Sequence, residues 1–260
     1  MAFRTILIAA ALVSLGFCRQ LSADETVSWS GHPIMGRGEY SPEGNAVFTV
    51  NEDTLTLRLT YTGGNLRLNR LGQTMTGVTF DLEGFNGSLT ATSAMIADGS
   101  RLVGAGSGDY DTRNLSGHWA FKDDIHSELL GQYGVGSMGD INFGEDSFGR
   151  WDVIDSSYSM SRPALGGVDY SIVGPHAYMR SGGFRNQSPF VQNSMVFTFN
   201  YEGDLSEDMI RHVLPLFGSV GATTTGATTL VTPEPASLLV FGASLLGIAL
   251  LASRRRRASR

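Results

Sequence analysis

Along residues 54–62, Leu55, Leu57, Leu59 and Tyr61 alternate with Thr54, Thr56, Arg58, Thr60 and Thr62. A period of two puts each set on one side of an extended chain, so this run predicts a half-buried β-strand. The rhythm returns where Val78, Phe80 and Leu82 alternate with Thr79 and Asp81. It returns again where Met195, Phe197, Phe199 and Tyr201 alternate with Val196, Thr198 and Asn200. Shorter apolar or β-branched pieces at 46–50, 115–121, 170–173 and 210–217 predict further strands. Residues 204–212 would suit a short helix capped by Ser206, but Val213, Leu214, Leu216 and Phe217 around Pro215 fit an edge strand better.

Gly is abundant, at 33 residues, and clusters such as Tyr61-Thr-Gly-Gly-Asn65 and Gly84-Phe-Asn-Gly87 fall between these runs as turns should. No long stretch of the middle carries a helical stripe, and no repeat of fixed period is evident. The expected body, residues 24–222, is all-β: an antiparallel β-sandwich, with a jelly roll as the close variant.

The two ends follow different rules. Arg4, the apolar run 6–17, and then Ser22 and Ala23 before Asp24 have the charged, apolar and small-residue order of a signal peptide. Residues 1–23 are therefore expected to be removed after Ala23. A lipoprotein reading at Cys18 is weakened by bulky Phe17, where a small residue is needed. At the other end, 236–252 runs without a charge and is near the shortest length that spans a bilayer as a transmembrane helix. Arg254, Arg255, Arg256 and Arg257 follow at once. Arginines resist transfer through hydrocarbon, so they act as a stop-transfer cluster, which keeps the C-terminus cytoplasmic and the body outside. Residues 223–232, rich in Thr and Gly, read as a spacer between body and membrane.

Pro233, Glu234 and Pro235 stand just before the apolar run. Two prolines flanking one residue keep the backbone extended and poor in amide donors, leaving a strip that an enzyme can read. The three ordered features of 233–257 resemble the PEP-CTERM sorting signal of bacterial proteins handled by exosortase. The resemblance implies that the Pro-Glu-Pro motif is the processing element, that the helix holds a transient inner-membrane intermediate, and that exosortase and the membrane are partners during sorting. A plain anchor with incidental prolines is the alternative. The body resembles, more loosely, exosortase-dependent surface proteins of unassigned role. The segments that carry this are Leu115-Ser-Gly-His-Trp-Ala-Phe-Lys-Asp-Asp124, Asp169-Tyr-Ser-Ile-Val173 with Gly174, and Gln192-Asn-Ser-Met-Val-Phe-Thr-Phe199. No catalytic residue comes with that likeness.

Charge narrows the range of partners. Between 24 and 232 there are 12 Lys and Arg against 24 Asp and Glu, a net charge of −12. That balance repels nucleic acid and suits solubility or cation binding. The single cysteine, Cys18, lies in the leader, so the exported form is expected to have no disulfide and no thiolate site.

Candidate chemistry is sparse. Asp140, Asn142 and Asp146 set oxygens at alternate positions, as a loop that wraps calcium does. The Gly of an EF-hand is replaced by Glu145 and its bidentate Glu by Trp151, so a solvated Asx-rich loop is the competing reading. Asp109 and Asp111 with Asp98, or Asp123 with Asp124, could supply a glycosidase pair, although adjacent acids usually decorate a loop. His32, His118, His126, His176 and His212 are scattered without zinc spacing, and His118 reads as a strand residue. Gly104-Ala-Gly-Ser-Gly108 fits a hairpin turn better than a phosphate loop, and no nucleophile elbow accompanies the available Ser, His and Asp. Trp29, Trp119 and Trp151 are candidates for a sugar-stacking face, with burial as the ordinary alternative.

The expectation is an exported surface or extracellular-matrix protein without a cofactor or enzymatic activity, structural or adhesive in role. The alternatives are a calcium-assisted carbohydrate-binding module, with extracellular polysaccharide as partner, and a glycoside hydrolase.

Overall fold

A computed structural model provides the architecture. It describes residues 25–30, 43–63, 67–68, 74–104, 113–125, 130–137, 140–143, 146–155, 169–175, 178–179, 189–218 and 227–228. The expected signal peptide 1–23, the apolar run 236–252 and the expected sorting motif lie outside these residues. Among the described residues there is no α-helix, and no helix is long and apolar enough to cross a membrane.

The first strands are β1 (Glu25–Ser30), β2 (Glu43–Val50), β3 (Thr54–Tyr61), β4 (Arg67–Leu68), β5 (Met75–Leu82) and β6 (Ser88–Ile96). Then come β7 (Arg101–Val103), β8 (Ala120–Lys122), β9 (Tyr133–Gly136), β10 (Asp140–Phe143), β11 (Asp146–Arg150) and β12 (Asp152–Val153). The last are β13 (Ile172–Val173), β14 (Tyr178–Met179), β15 (Phe190–Gln192), β16 (Ser194–Glu202), β17 (Ile210–Phe217) and β18 (Ala227–Thr228).

Two sheets carry most of these strands. The six-stranded sheet runs β18-β1-β2-β3-β16-β6. The eight-stranded sheet runs β12-β8-β9-β5-β13-β15-β7, with β17 on the other edge of β5. The pairs β10-β11 and β4-β14 stand apart. The expected antiparallel pairing holds throughout except at β13-β15 and β4-β14, which are parallel. Two residues of the predicted spacer, Ala227 and Thr228, pair with Trp29 and Ser28 of β1.

The alternations read in the sequence become buried faces. Leu55, Leu57, Leu59 and Tyr61 of β3 are all buried, as are Met195, Phe197 and Phe199 of its neighbour β16. Opposite them stand Val78 and Phe80 of β5, Tyr133 and Val135 of β9, and Phe217 of β17. Phe48 meets Phe80 edge to face at 5.2 Å, Phe199 meets Phe80 at 6.3 Å, and Tyr61 meets Phe217 at 5.9 Å. Aromatic rings at these separations pack favourably beyond their area alone. All described buried hydrophobic residues fall between Val27 and Phe217, so the body encloses its own core.

Three local readings change. Residues 116–118 form a turn rather than strand, with the His118 N–H donating to the Leu115 carbonyl at 2.8 Å, and strand begins only at Ala120. Tyr170 takes a left-handed φ of 60°, which ends regular strand there and shortens the predicted piece to Ile172–Val173. The helix considered for 204–212 contracts to a 3-10 turn at Glu207–Met209, and β17 with Pro215 pairs only with β5, as a proline-bearing edge strand must.

The eight-stranded sheet is covered on its second face as well. In β5, Thr76 and Thr79 are as buried as Val78 and Phe80. The Thr79 hydroxyl accepts from the Gly131 N–H at 3.3 Å, and the Thr76 hydroxyl donates to the Gly218 carbonyl at 3.2 Å. A second apolar cluster of Ala120, Ile125, Leu130, Trp151 and Leu216 lies apart from the main core.

Candidate functional site

One concave feature of the described surface carries acidic side chains. A groove of about 250 Å³ is lined by Leu89, Thr90 and Ala91 of β6, Phe121 of β8, Asp123, and Asp152, Val153 and Ile154. It lies where the edge strand of one sheet comes beside the edge strand of the other, β6 against β12. Asp152 pairs in register with Phe121, and Asp123 follows two residues on. Both carboxylates therefore belong to one wall, on or beside neighbouring strands, with a half-buried phenyl ring between them.

The carboxylate pairs read from the sequence separate differently. Asp123 is joined in the groove by Asp152 rather than by its neighbour Asp124. Asp98 forms an exposed ion pair with Arg113 at 2.7 Å, while Asp109 and Asp111 lie outside the described residues. Asp152 was missed as a partner because only the β8-β12 pairing, between residues 31 and 33 apart in sequence, brings it beside Asp123; no local pattern signals that.

The candidate calcium ligands occupy a hairpin. Asp140 and Asn142 are on β10 and Asp146 on β11, in register pairs Asp140 with Arg150, Asn142 with Ser147 and Phe143 with Asp146. Their side chains lie outside the described residues. No group of three or more His, Cys, Asp or Glu poised for a metal occurs among the described residues.

The tryptophans are internal. Trp119 and Trp151 are fully buried and Trp29 is 3% exposed, so none presents a flat face to solvent; they are core residues, and the candidate sugar-stacking face is not formed by them. Trp119 packs on Phe197 with ring centroids 4.9 Å apart. His118, expected on a strand, instead stacks from its turn on Tyr170 at 3.9 Å and 20°. Burial lowers its pKa, opposed by the negative charge of Asp169. His32, His126 and His176 lie outside the described residues. His212 Nδ1 approaches the Asp81 carboxylate at 3.2 Å on the exposed edge.

The remaining candidates are Pro233, Glu234, Pro235 and Arg254, Arg255, Arg256 and Arg257, all outside the described residues. Their chemistry rests on order along the chain, and there the comparison with known families is specific. No curated protein and no solved structure matches the chain. Residues 231–257 match one family model, so the segment from the Pro-Glu-Pro triplet through the arginine cluster is a PEP-CTERM protein-sorting motif.

Proposed function

We propose that the chain is an exported surface or extracellular-matrix protein, processed by exosortase from a transient membrane intermediate, whose β body is a sandwich with a structural or adhesive role and no catalytic one. The observation that carries this is the sorting motif at 231–257. The leader, the uncharged run 236–252 and the following arginines agree on one orientation, with the acidic body outside. The bland character of the body supports the non-enzymatic reading: its three tryptophans and most of its described phenylalanines fill the interior.

Replacing Pro233, Glu234 and Pro235 together with Ala tests the assignment in cells of the source organism. The full-length chain should then accumulate in the membrane with its C-terminal arginines attached, read by mass spectrometry of the membrane fraction. Unchanged release of a trimmed chain would refute exosortase processing and leave export intact.

A binding-module reading has one feature in its favour, the groove where Phe121 lies beside Asp123 and Asp152. Aromatic rings stack on sugars and carboxylates hold hydroxyls or a cation. Calorimetric titration of residues 24–232 with calcium and a polysaccharide panel distinguishes the two readings. Saturable heat lost in Asp152→Asn favours the module, whereas silence toward both ligand classes favours the structural role. A hydrolase would need two carboxyl groups on opposite sides of a cleft; Asp123 and Asp152 share one wall.

A further inference from the structure

Residues 113–116 fill one end of the gap between the edges of the two large sheets. Two residues of β6 donate outward into that gap, the Ala94 N–H to the Ser116 hydroxyl at 2.9 Å and the Ile96 N–H to the Arg113 carbonyl at 2.8 Å. The Ala94 carbonyl accepts from the Leu115 N–H at 2.8 Å, and Met95 faces Asn114 in an antiparallel bridge. From the other side, just past β12, the Asp155 N–H donates to the Ser116 carbonyl at 3.1 Å. One extended backbone thus bonds both edges, and the gap there is one strand wide.

The chain then turns at 116–118 to bury Trp119, and the rest of the gap is the groove lined by Leu89, Ala91, Phe121 and Val153. Opposite residues of an antiparallel pair exchange both backbone bonds or neither. Tyr201 donates its N–H to Asp53, away from β6, so Leu89, which faces Tyr201, turns its own N–H and C=O outward. Ala91 faces Phe199, two residues back along β16, and does the same. Across the groove Ile154 donates to Trp119 of the neighbouring chain segment, so Val153, one residue earlier, points into the gap as Asp155 does. Among the described residues nothing pairs with these outward groups of Leu89, Ala91 and Val153. Leu89 and Ala91 are only 4% and 8% exposed, and nearly buried backbone groups without a partner are costly.

Charge narrows what would complete the pairing. Asp123 and Asp152 line the same groove, both exposed, and neither has a cationic partner among the described residues. We propose that the groove takes an extended peptide strand from another polypeptide, carrying apolar and Lys or Arg side chains and added antiparallel to β6 as residues 113–115 are. Its backbone meets Leu89 and Ala91 on one side and Val153 on the other. An apolar side chain lies on Phe121, and a cation meets Asp123 and Asp152. Strand addition of this kind takes its affinity from main-chain bonds and its specificity from alternate side chains. Such binding does not depend on how the chain is sorted.

The test uses residues 24–232, which contain every described core residue and β18. The probe is the capped octapeptide Val-Thr-Lys-Thr-Val-Thr-Lys-Thr, which sets Val and Lys on one face. Calorimetry should show saturable binding, and amide exchange should slow at Leu89, Ala91 and Val153. Methylating the threonine nitrogens removes the peptide's donors along one edge and should weaken binding about tenfold or more, as should replacing Lys with Glu. In the protein, Ala91→Pro removes one outward donor and leaves the β16 side intact. That variant, and Asp123→Asn combined with Asp152→Asn, should each bind about tenfold more weakly. If Ala91→Pro fails to fold, the methylated peptide and the exchange pattern on the parent protein decide. Absence of saturable binding overturns the strand site. Equal binding of the methylated peptide also overturns it, because a site that holds only side chains, a sugar or a cation is indifferent to the peptide's backbone donors.

Discussion

The indole of Trp151 lies so close over Gly134 that a Cβ on this glycine would come 2.6 Å from Cη2 of the ring and 3.0 Å from Cδ1 of Ile125. Strand β9 reads Tyr-Gly-Val-Gly. Tyr133 and Val135 face the main core, while Gly134 and Gly136 form a flat bed for Trp151 on the other face. Gly134→Ala should therefore destabilise the body by about 1–3 kcal/mol through overpacking. Urea denaturation measures it, and the double variant with Trp151→Phe should recover part of the loss because a smaller ring leaves room for the methyl group. Additive losses would mean that the two residues are not in contact.

His118 sets an acid-side limit on stability. Its ring is half-buried against Tyr170, and burial holds its pKa below the ordinary value of 6.5. The folded state resists the proton that the unfolded chain accepts, so the unfolded state binds more protons as pH falls through 6.5. Stability contributed by neutral His118 is present above that pH and declines below it, until the folded pKa is passed. His118→Phe keeps a stacked ring without a titrating group. Between pH 7.5 and 5 the variant should lose less stability than the parent, read from denaturant midpoints. Parallel pH profiles would remove His118 from the account.

What the sequence made legible is the part of the fold written in a period of two. β3, β5 and β16 were readable because Leu, Phe and Met alternate with Thr and Asn, and those side chains do fill the space between the sheets. β9 was not readable, because its outward positions are glycines chosen by a tryptophan 15 to 17 residues further on. His118 looked like strand because apolar neighbours surround it, yet the chain turns there to bury Trp119 against Phe197. The groove was half legible: Asp123 stood out as an acid, but Asp152 joins it only through the pairing of Asp152 with Phe121. The sorting motif is the opposite case. Its meaning lies in linear order, Pro-Glu-Pro, apolar run, arginines, so it could be read without any fold.

Asn193 marks where the chain passes from one sheet to the other. It is the single residue between β15 of the eight-stranded sheet and β16 of the six-stranded sheet, and it turns the corner with φ at 89°. Its N–H donates to the Val173 carbonyl at 2.9 Å, and its carbonyl accepts from the Tyr61 N–H at 3.0 Å, so one residue bonds both sheets through its backbone. A positive φ costs a residue with a Cβ about 1 kcal/mol or more, least for Asn and nothing for Gly. Asn193→Gly should thus keep both backbone bonds and leave stability unchanged or up to about 1 kcal/mol higher, whereas Asn193→Ala or Asn193→Val should lose about 1–2 kcal/mol. Thermal unfolding of the three variants checks the order Gly, Asn, Ala, Val. An Ala variant as stable as the parent would show that the corner does not need a left-handed residue, and that the crossing between sheets is held by the flanking strands instead.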